Sequence, residues 1–272
     1  MNPYGDSFPE RKPVPDGKLA TTATGIDKPA VTYTISARSK NPDVPVFAFL
    51  RRQYGYIPLQ EIESLFGFVQ RSRLYGGRMY NNRELSDRDV AQLNNAGIGI
   101  RIPMSNHFVD EDEYEESRPI LDRYHAPVNS IIVTNDDLAR WIRRDYPRYT
   151  LDASVIKNIK THEKIDKALD LYDSVVLPMR LNEDLEFLDR IREKKRIILF
   201  ANAGCALTCP SKLCYPSISR YNKYTGAKFE CSQPIKERDL FGMVDFPLEP
   251  YLEMGFHHFK LLRARPNAMT GF

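Results

Sequence analysis

The sequence predicts an α/β chain folded as a single (β/α)8 TIM-like barrel, with a cysteine-rich loop after strand seven and a last helix reduced or missing. Three observations carry that expectation. From residue 44 onward, short apolar runs alternate with amphipathic stretches through eight units, and parallel neighbouring strands need a crossover between them. No GxGxxG or GxxxxGK(S/T) loop follows any run, which favours a closed barrel over an open doubly wound sheet. Little chain is left after the eighth run to build a final helix.

The units follow in order. Residues 44–50 read as strand one and 58–69 as a helix, with Pro58 in its first turn. Residues 73–76 read as strand two, and Ser86 caps a helix over 87–96 that stops at Gly97. Strands at 99–103, 130–134, 149–153, 174–177, 196–200 and 258–262 complete the eight. Between them lie helices at 113–124, at 136–144 capped by Asn135, at 163–172 capped by Thr161, and at 183–194 capped by Asn182. A short helical piece near 248–254 precedes the last strand. Residues 1–43 begin with a leader rich in Pro, Gly, Thr and charge and read as an extended or disordered arm, so the barrel domain is expected over 44–272.

Composition narrows the class. The 272 residues are 42% hydrophobic, enough for a sizeable core, and no run approaches the ~18 apolar residues of a membrane span. A formal charge of +3 from 39 basic and 36 acidic residues gives no global field for nucleic acid, while leaving room for a local basic groove. With no secretory leader pattern at its start, the chain is expected in the cytoplasm.

All four cysteines fall between Cys205 and Cys231, spaced Cys205-x3-Cys209-x4-Cys214-x16-Cys231, within a loop over 202–234. Thiolates crowded on one loop can converge on a soft metal centre. Disulfides suit small secreted domains, which this chain is not. Structural zinc usually takes two Cys-x2-4-Cys pairs, and here the spacings are irregular, with Pro210 and Pro216 between the ligands. An iron–sulfur cluster, whose corners lie farther apart, tolerates that irregularity better; zinc stays open as the alternative.

Barrel chemistry gathers where strands end. That rule selects Arg51 and Arg52, then Gly77, Arg78 and Tyr80, then Ser105, Asn106 and His107, then Asn135. It continues with Asp152 and Ser154, Arg180, Asn202 and the cysteines, and Arg263 with Arg265. Lys260, inside strand eight, has to point inward to contribute. Arginines at one rim (Arg78, Arg180, Arg263, Arg265) suit a carboxylate or phosphate, or else pair with neighbouring acids. His107 is a candidate acid or base at neutral pH, and Asp152 a candidate base; a loop-bonded histidine and a turn-forming aspartate are the plainer readings. Of the adjacent His257 and His258, only one can face the site.

Two segments resemble the U32 peptidase family. The stretch Tyr251-Leu-Glu-Met-Gly-Phe-His-His-Phe-Lys260 is similar to that family's helix-Gly-strand leading into Phe-Lys-Ile-Glu-Gly-Arg, and Glu230-Cys231-Ser232-Gln233-Pro234 to its Cys-x-Gln-Pro signature. Asn202 and the cysteines stand where the family carries its cysteine-rich insertion. The resemblance implies a barrel enzyme with an oxygen-sensitive 4Fe–4S cluster on Cys205, Cys209, Cys214 and Cys231. Family members are associated with oxygen-independent hydroxylation of ubiquinone precursors and RNA bases; others are described as proteases. Lys260 matches the family lysine, whereas Leu262 and Arg263 replace its Glu and Gly, and Arg265 stands in for its terminal arginine.

Together these readings lead to an iron–sulfur barrel enzyme that modifies an aromatic ring or nucleobase, with Lys260, His107 and Asp152 as catalytic candidates. Arg78, Asn106, Arg180, Asn202, Arg263 and Arg265 are the candidates for binding a small anionic or aromatic substrate or nucleic acid. A peptidase-like hydrolase and a non-catalytic binding subunit are the alternatives. A protein partner or a second copy of the chain fits either case, and membrane insertion does not.

Overall fold

Eight parallel strands close into a barrel in sequence order, each hydrogen-bonded to the next and the last to the first. The structure is a computed structural model that describes residues 31–233 and 244–264. The strands are β1 (Thr32–Ser36), β2 (Ile62–Phe66), β3 (Gly99–Ile102), β4 (Ser130–Val133), β5 (Thr150–Ala153), β6 (Ser174–Val176), β7 (Ile197–Phe200) and β8 (His258–Leu261). Helices α1 (Val46–Tyr54), α2 (Asp87–Asn95), α3 (Glu111–Arg123), α4 (Asp136–Asp145), α5 (His162–Leu169) and α6 (Leu185–Asp189) separate the first seven. Between β7 and β8 run α7 (Cys214–Lys223) and the short α8 (Glu249–Glu253). No helix follows β8 among the described residues, and none of the helices there is long and apolar enough to cross a membrane.

Strands three to eight lie where the sequence places them; the first two do not. Residues 44–50 form most of α1 instead of a strand, because Val46, Phe49, Leu50 and Tyr54 recur at helical spacing and bury one face. The expected helix over 58–69 contains β2, and residues 73–76 form a turn. The true first strand, Thr-Tyr-Thr-Ile-Ser, lies inside what reads as an arm, so the barrel begins at Thr32 rather than at residue 44. Residues 1–30 of that arm lie outside the described residues. The caps at Ser86, Asn135 and Thr161 form as expected, Ser86 exchanging both bonds of a capping box with Asp89. Asn182 caps nothing: Asp184 caps α6, and the buried Asn182 amide donates to the Phe200 carbonyl at 2.8 Å.

The barrel interior is polar in its lower layer, which explains why β1 carries threonine and serine. Thr34 on β1 meets Ser64 on β2 at 3.0 Å, and Ser64 accepts from Arg101 Nε of β3 at 2.7 Å. Arg101 donates to Asp152 on β5 at 2.6 Å and to Glu63 on β2 at 2.8 Å. Asp152 also accepts from Ser130 on β4 at 3.0 Å and Ser174 on β6 at 2.6 Å. One ionic network thus ties six strands together. Two residues further along the same inward faces lie Ser36, Phe66, Pro103, Ile132 and Ser154, all at the C-terminal mouth.

Asp152→Ala leaves the buried Arg101 guanidinium without its main counter-charge and should cost about 3–5 kcal/mol of unfolding free energy. Urea denaturation measures it; a loss below about 1 kcal/mol would show that the network is not what ties these strands.

Candidate active site at the barrel mouth

The strand ends enclose a cavity of ≈ 140 Å³, close to the ~150 Å³ that admits a benzene-sized molecule. Ser36 at the end of β1 and Arg38 just after it, Gly77 and Arg78 before α2, and Ser105 after β3 form part of its wall. Met179, Phe200, Cys205, Tyr215 and Lys260 supply much of the rest. A second, larger cleft of ≈ 770 Å³ opens beside it along residues 38–43 and 78–84, and Arg38 and Arg78 line both. Close backbone contact shapes the wall: a Cβ on Gly76 would sit 2.2 Å from the Ser105 carbonyl oxygen, so only glycine fits there.

Lys260 points into this cavity. Its side chain is buried, with the ammonium position 4.3 Å from the centre of the Phe66 ring, and among the described residues it enters no hydrogen bond or ion pair. Burial, reinforced by the Arg101 and Arg78 guanidiniums and opposed by Asp152, brings its pKa down to about 7. The Phe66 face favours the charged amine by about 1 kcal/mol, less than the cost of burying an ammonium, so burial decides.

The other expected catalytic residues take structural roles. Asp152 belongs to the layer below the mouth, its oxygens filled by Arg101, Ser130 and Ser174, and so it is not placed to take a substrate proton. The His107 ring sits 3.0 Å from the Ser219 hydroxyl on α7, and burial depresses its pKa. Ser219 is fully buried, so this serine–histidine contact meets no substrate. His258 lies at the opposite, N-terminal end of β8, against Thr32 at 2.8 Å.

Asn106, Asn202 and Arg263, among the expected binding residues, pin loops. Asn106 donates to the carbonyls of Arg73, Tyr75 and Ser219 and accepts from Phe108 N. Asn202 donates to the Arg263 carbonyl at 3.0 Å and accepts from Leu262 N at 2.8 Å, joining the ends of β7 and β8. Arg263 is buried against Asp245 at 2.9 Å. Arg180 is exposed and is not among the residues lining the cavity, although its neighbour Met179 is, and Arg265 lies outside the described residues. Arg51 and Arg52 sit in the last turn of α1 rather than at the mouth. Arg78 does line the cavity, with two of its donors held by Glu84 at 2.6 Å each and its guanidinium 4.5 Å from the Phe68 ring centre.

Arg38 and Ser36 are the residues that sequence reasoning missed, because both fall in the segment read as an arm. Burial and the like charge of Arg78 bring the Arg38 pKa down to about 10, against the pull of Glu84 and Cys205. Tyr215, seven places before the α7 residue Asn222 that anchors the Tyr80 amide at 2.8 Å, also lines the cavity. Its phenol is pushed up by burial and then by the nearby thiols.

No disulfide joins any of the four cysteines in this structure. Cys205 lines the cavity; Cys209 and Cys214 are buried and Cys231 half-buried. Burial and then Cys205, Cys231 and Cys209 push the Cys214 thiol up to about 12, so the other three cysteines lie within electrostatic reach of Cys214. Burial also acts against the Cys209 thiolate, but bonds from Ser232 and from the Lys212 and Ser211 amides outweigh it and lower that thiol. Lys212 N lies 3.4 Å from Cys209 Sγ, and Gln233 N 3.4 Å from Cys231 Sγ. Among the described residues no three His, Cys, Asp or Glu side chains are grouped closely enough to hold a metal ion.

With this geometry in hand, one known structure is similar over nearly the whole chain. The U32 peptidase Mk0906 aligns with TM-score 0.59 at 15% sequence identity, covering 92% of this chain and 100% of that one. The likeness establishes the fold. Neither a family model nor a curated relative matches the sequence.

His107→Ala removes a loop bond and should lower unfolding free energy by about 1–2 kcal/mol. It should leave the reactivity of Lys260 toward amine reagents unchanged, and a change in that reactivity would return His107 to the site.

Proposed function

We propose that this barrel is an iron–sulfur enzyme whose mouth cavity binds a single aromatic ring or nucleobase and modifies it by a hydroxylation-type redox step. The observation that carries the proposal is the meeting of two things at one rim: a ring-sized cavity, and a loop on which three cysteines lie within electrostatic reach of Cys214. The likeness to a U32 peptidase and the resemblance of the C-terminal motifs to that family agree with it.

The donor set fits a cluster better than a single ion. It is all thiol, and thiolates are the ligands of iron–sulfur centres. Zinc at ~2.3 Å from each sulfur demands ligands drawn tightly together, and no such tight group exists among the described residues. A thiol such as Cys214, whose proton affinity is raised by burial and by the three other cysteines, is one a cationic centre would deprotonate and neutralise. Cys205, Cys209, Cys214 and Cys231 would hold the cluster, which when bound supplies electrons or a Lewis-acidic iron. Amide donors to the Cys209 and Cys231 sulfurs are the groups that would tune it.

The chain's own residues do the rest. Phe66, Phe200 and Ile132 give the ring apolar walls, Arg38 and Arg78 offer positive charge at the entrance, and Lys260 in the same cavity is available as a proton donor or acceptor near neutral pH. A peptidase reading draws on the description of Mk0906 as a peptidase. It finds no support in the serine–histidine contact of Ser219 and His107, because Ser219 is buried.

Protein purified without oxygen should be brown and carry about four iron and four sulfide per chain. Cys209→Ala should lose most of that iron. Colourless wild-type protein carrying one zinc, or a variant with unchanged iron, would overturn the assignment; peptide cleavage by metal-free protein would establish the hydrolase instead.

A further inference from the structure

We propose that Lys260 is an imine-forming lysine whose amine captures a small aldehyde or ketone, of no more than about six heavy atoms, in the mouth cavity. The argument is geometric first. The amine is buried on the inward face of β8 and opens into ≈ 140 Å³ of space. Its recorded neighbour is an aromatic face, and among the described residues no carboxylate pairs with it. A structural buried lysine is normally matched by an acid, as Lys40 is by Asp89 at 2.7 Å elsewhere in this chain. The nearest interior carboxylate, Asp152, is instead bonded to Arg101. The fold therefore holds an amine at the bottom of a small cavity and withholds a counter-ion from it.

Those are the two arrangements that activate a lysine as a nucleophile: desolvation in an apolar pocket and a neighbouring cation. Here the cations are Arg101 on β3 and Arg78 at the rim. The other charged or titratable groups around the cavity are Asp152 below it and Arg38, Cys205 and Tyr215 in its wall. A pKa brought down to about 7 leaves a large neutral fraction at physiological pH. In the step itself the amine lone pair attacks the carbonyl carbon, and the carbonyl oxygen takes up a proton to give a carbinolamine. Loss of that oxygen as water forms the C=N bond, with no net oxidation or reduction. The hydroxyls of Ser36, Ser154 and Tyr215 line the same cavity and are available to relay the proton.

The test uses the full chain, both as purified without oxygen and after iron removal, with glyoxylate as the carbonyl probe and sodium cyanoborohydride to reduce any imine. Peptide mapping should find the carboxymethyl label at Lys260 about tenfold above any other lysine near neutral pH, in both preparations. The labelling rate should climb as pH rises through about 7 and then level off, because only the neutral amine attacks. Lys260→Met should lose that label while keeping the wild-type circular dichroism. Label spread evenly over surface lysines of the wild-type protein overturns the proposal, as does a rate at Lys260 still rising at the pH of ordinary lysines. Because the label is read on iron-free protein too, its failure is distinct from failure of the iron–sulfur reading.

Discussion

The structure depends on β1. A strand of five residues, Thr32–Ser36, bonds on one side to β2 and on the other to β8, and without it the sheet stays open. Closure sets the inward faces of all eight strands against one another. It thereby brings Lys260, near the end of the chain, beside Arg38, near its start, and both to the rim where the cysteine loop leaves β7. Residues more than two hundred positions apart become one wall only through that pairing.

Closure also dictates the electrostatics. The barrel interior has room for side chains in layers. The lower layer is spent on one arginine and its acids, Arg101 with Asp152 and Glu63, held by a ring of serines. A buried network of this kind contributes more to fixing register than to net stability, since desolvation offsets much of the attraction. Its consequence one layer up is chemical. The guanidinium beneath the mouth and the absence, among the described residues, of a carboxylate paired with Lys260 both disfavour a charged amine there. The same interior that fixes the strands thus conditions the lysine at the floor of the cavity.

Much of this was legible in the sequence, and the misses have physical causes. From β3 to β6 each strand is a short run flanked by helices with side-chain caps, such as Ser130–Val133 followed by the Asn135 cap, and pattern reading places it correctly. At the start the pattern inverts. The strand β1 faces a polar interior, so its alternation of Thr and Ser reads as an arm, while α1 is apolar enough to read as a strand. Ile62, Leu65 and Phe66 share both helical and strand spacing, and only the pairing with β1 settles them. In the site, Lys260 and Cys205 were visible because the strand-end rule and the thiol spacing point to them directly. Asn106, Asn202 and Arg263 obey the same rule yet serve as staples between loops, a use that depends on partners far away in sequence. Arg38 was hidden by the error over β1.

The central claim is that the loop after β7 turns its four thiols toward one inorganic centre at the mouth. Anomalous diffraction at the iron absorption edge, from crystals of protein purified without oxygen, tests it most directly. The account predicts a single strong iron peak enclosed by Cys205, Cys209, Cys214 and Cys231, beside the cavity that holds Lys260. Sulfur atoms directed apart with no iron between them, or joined in pairs, would contradict it.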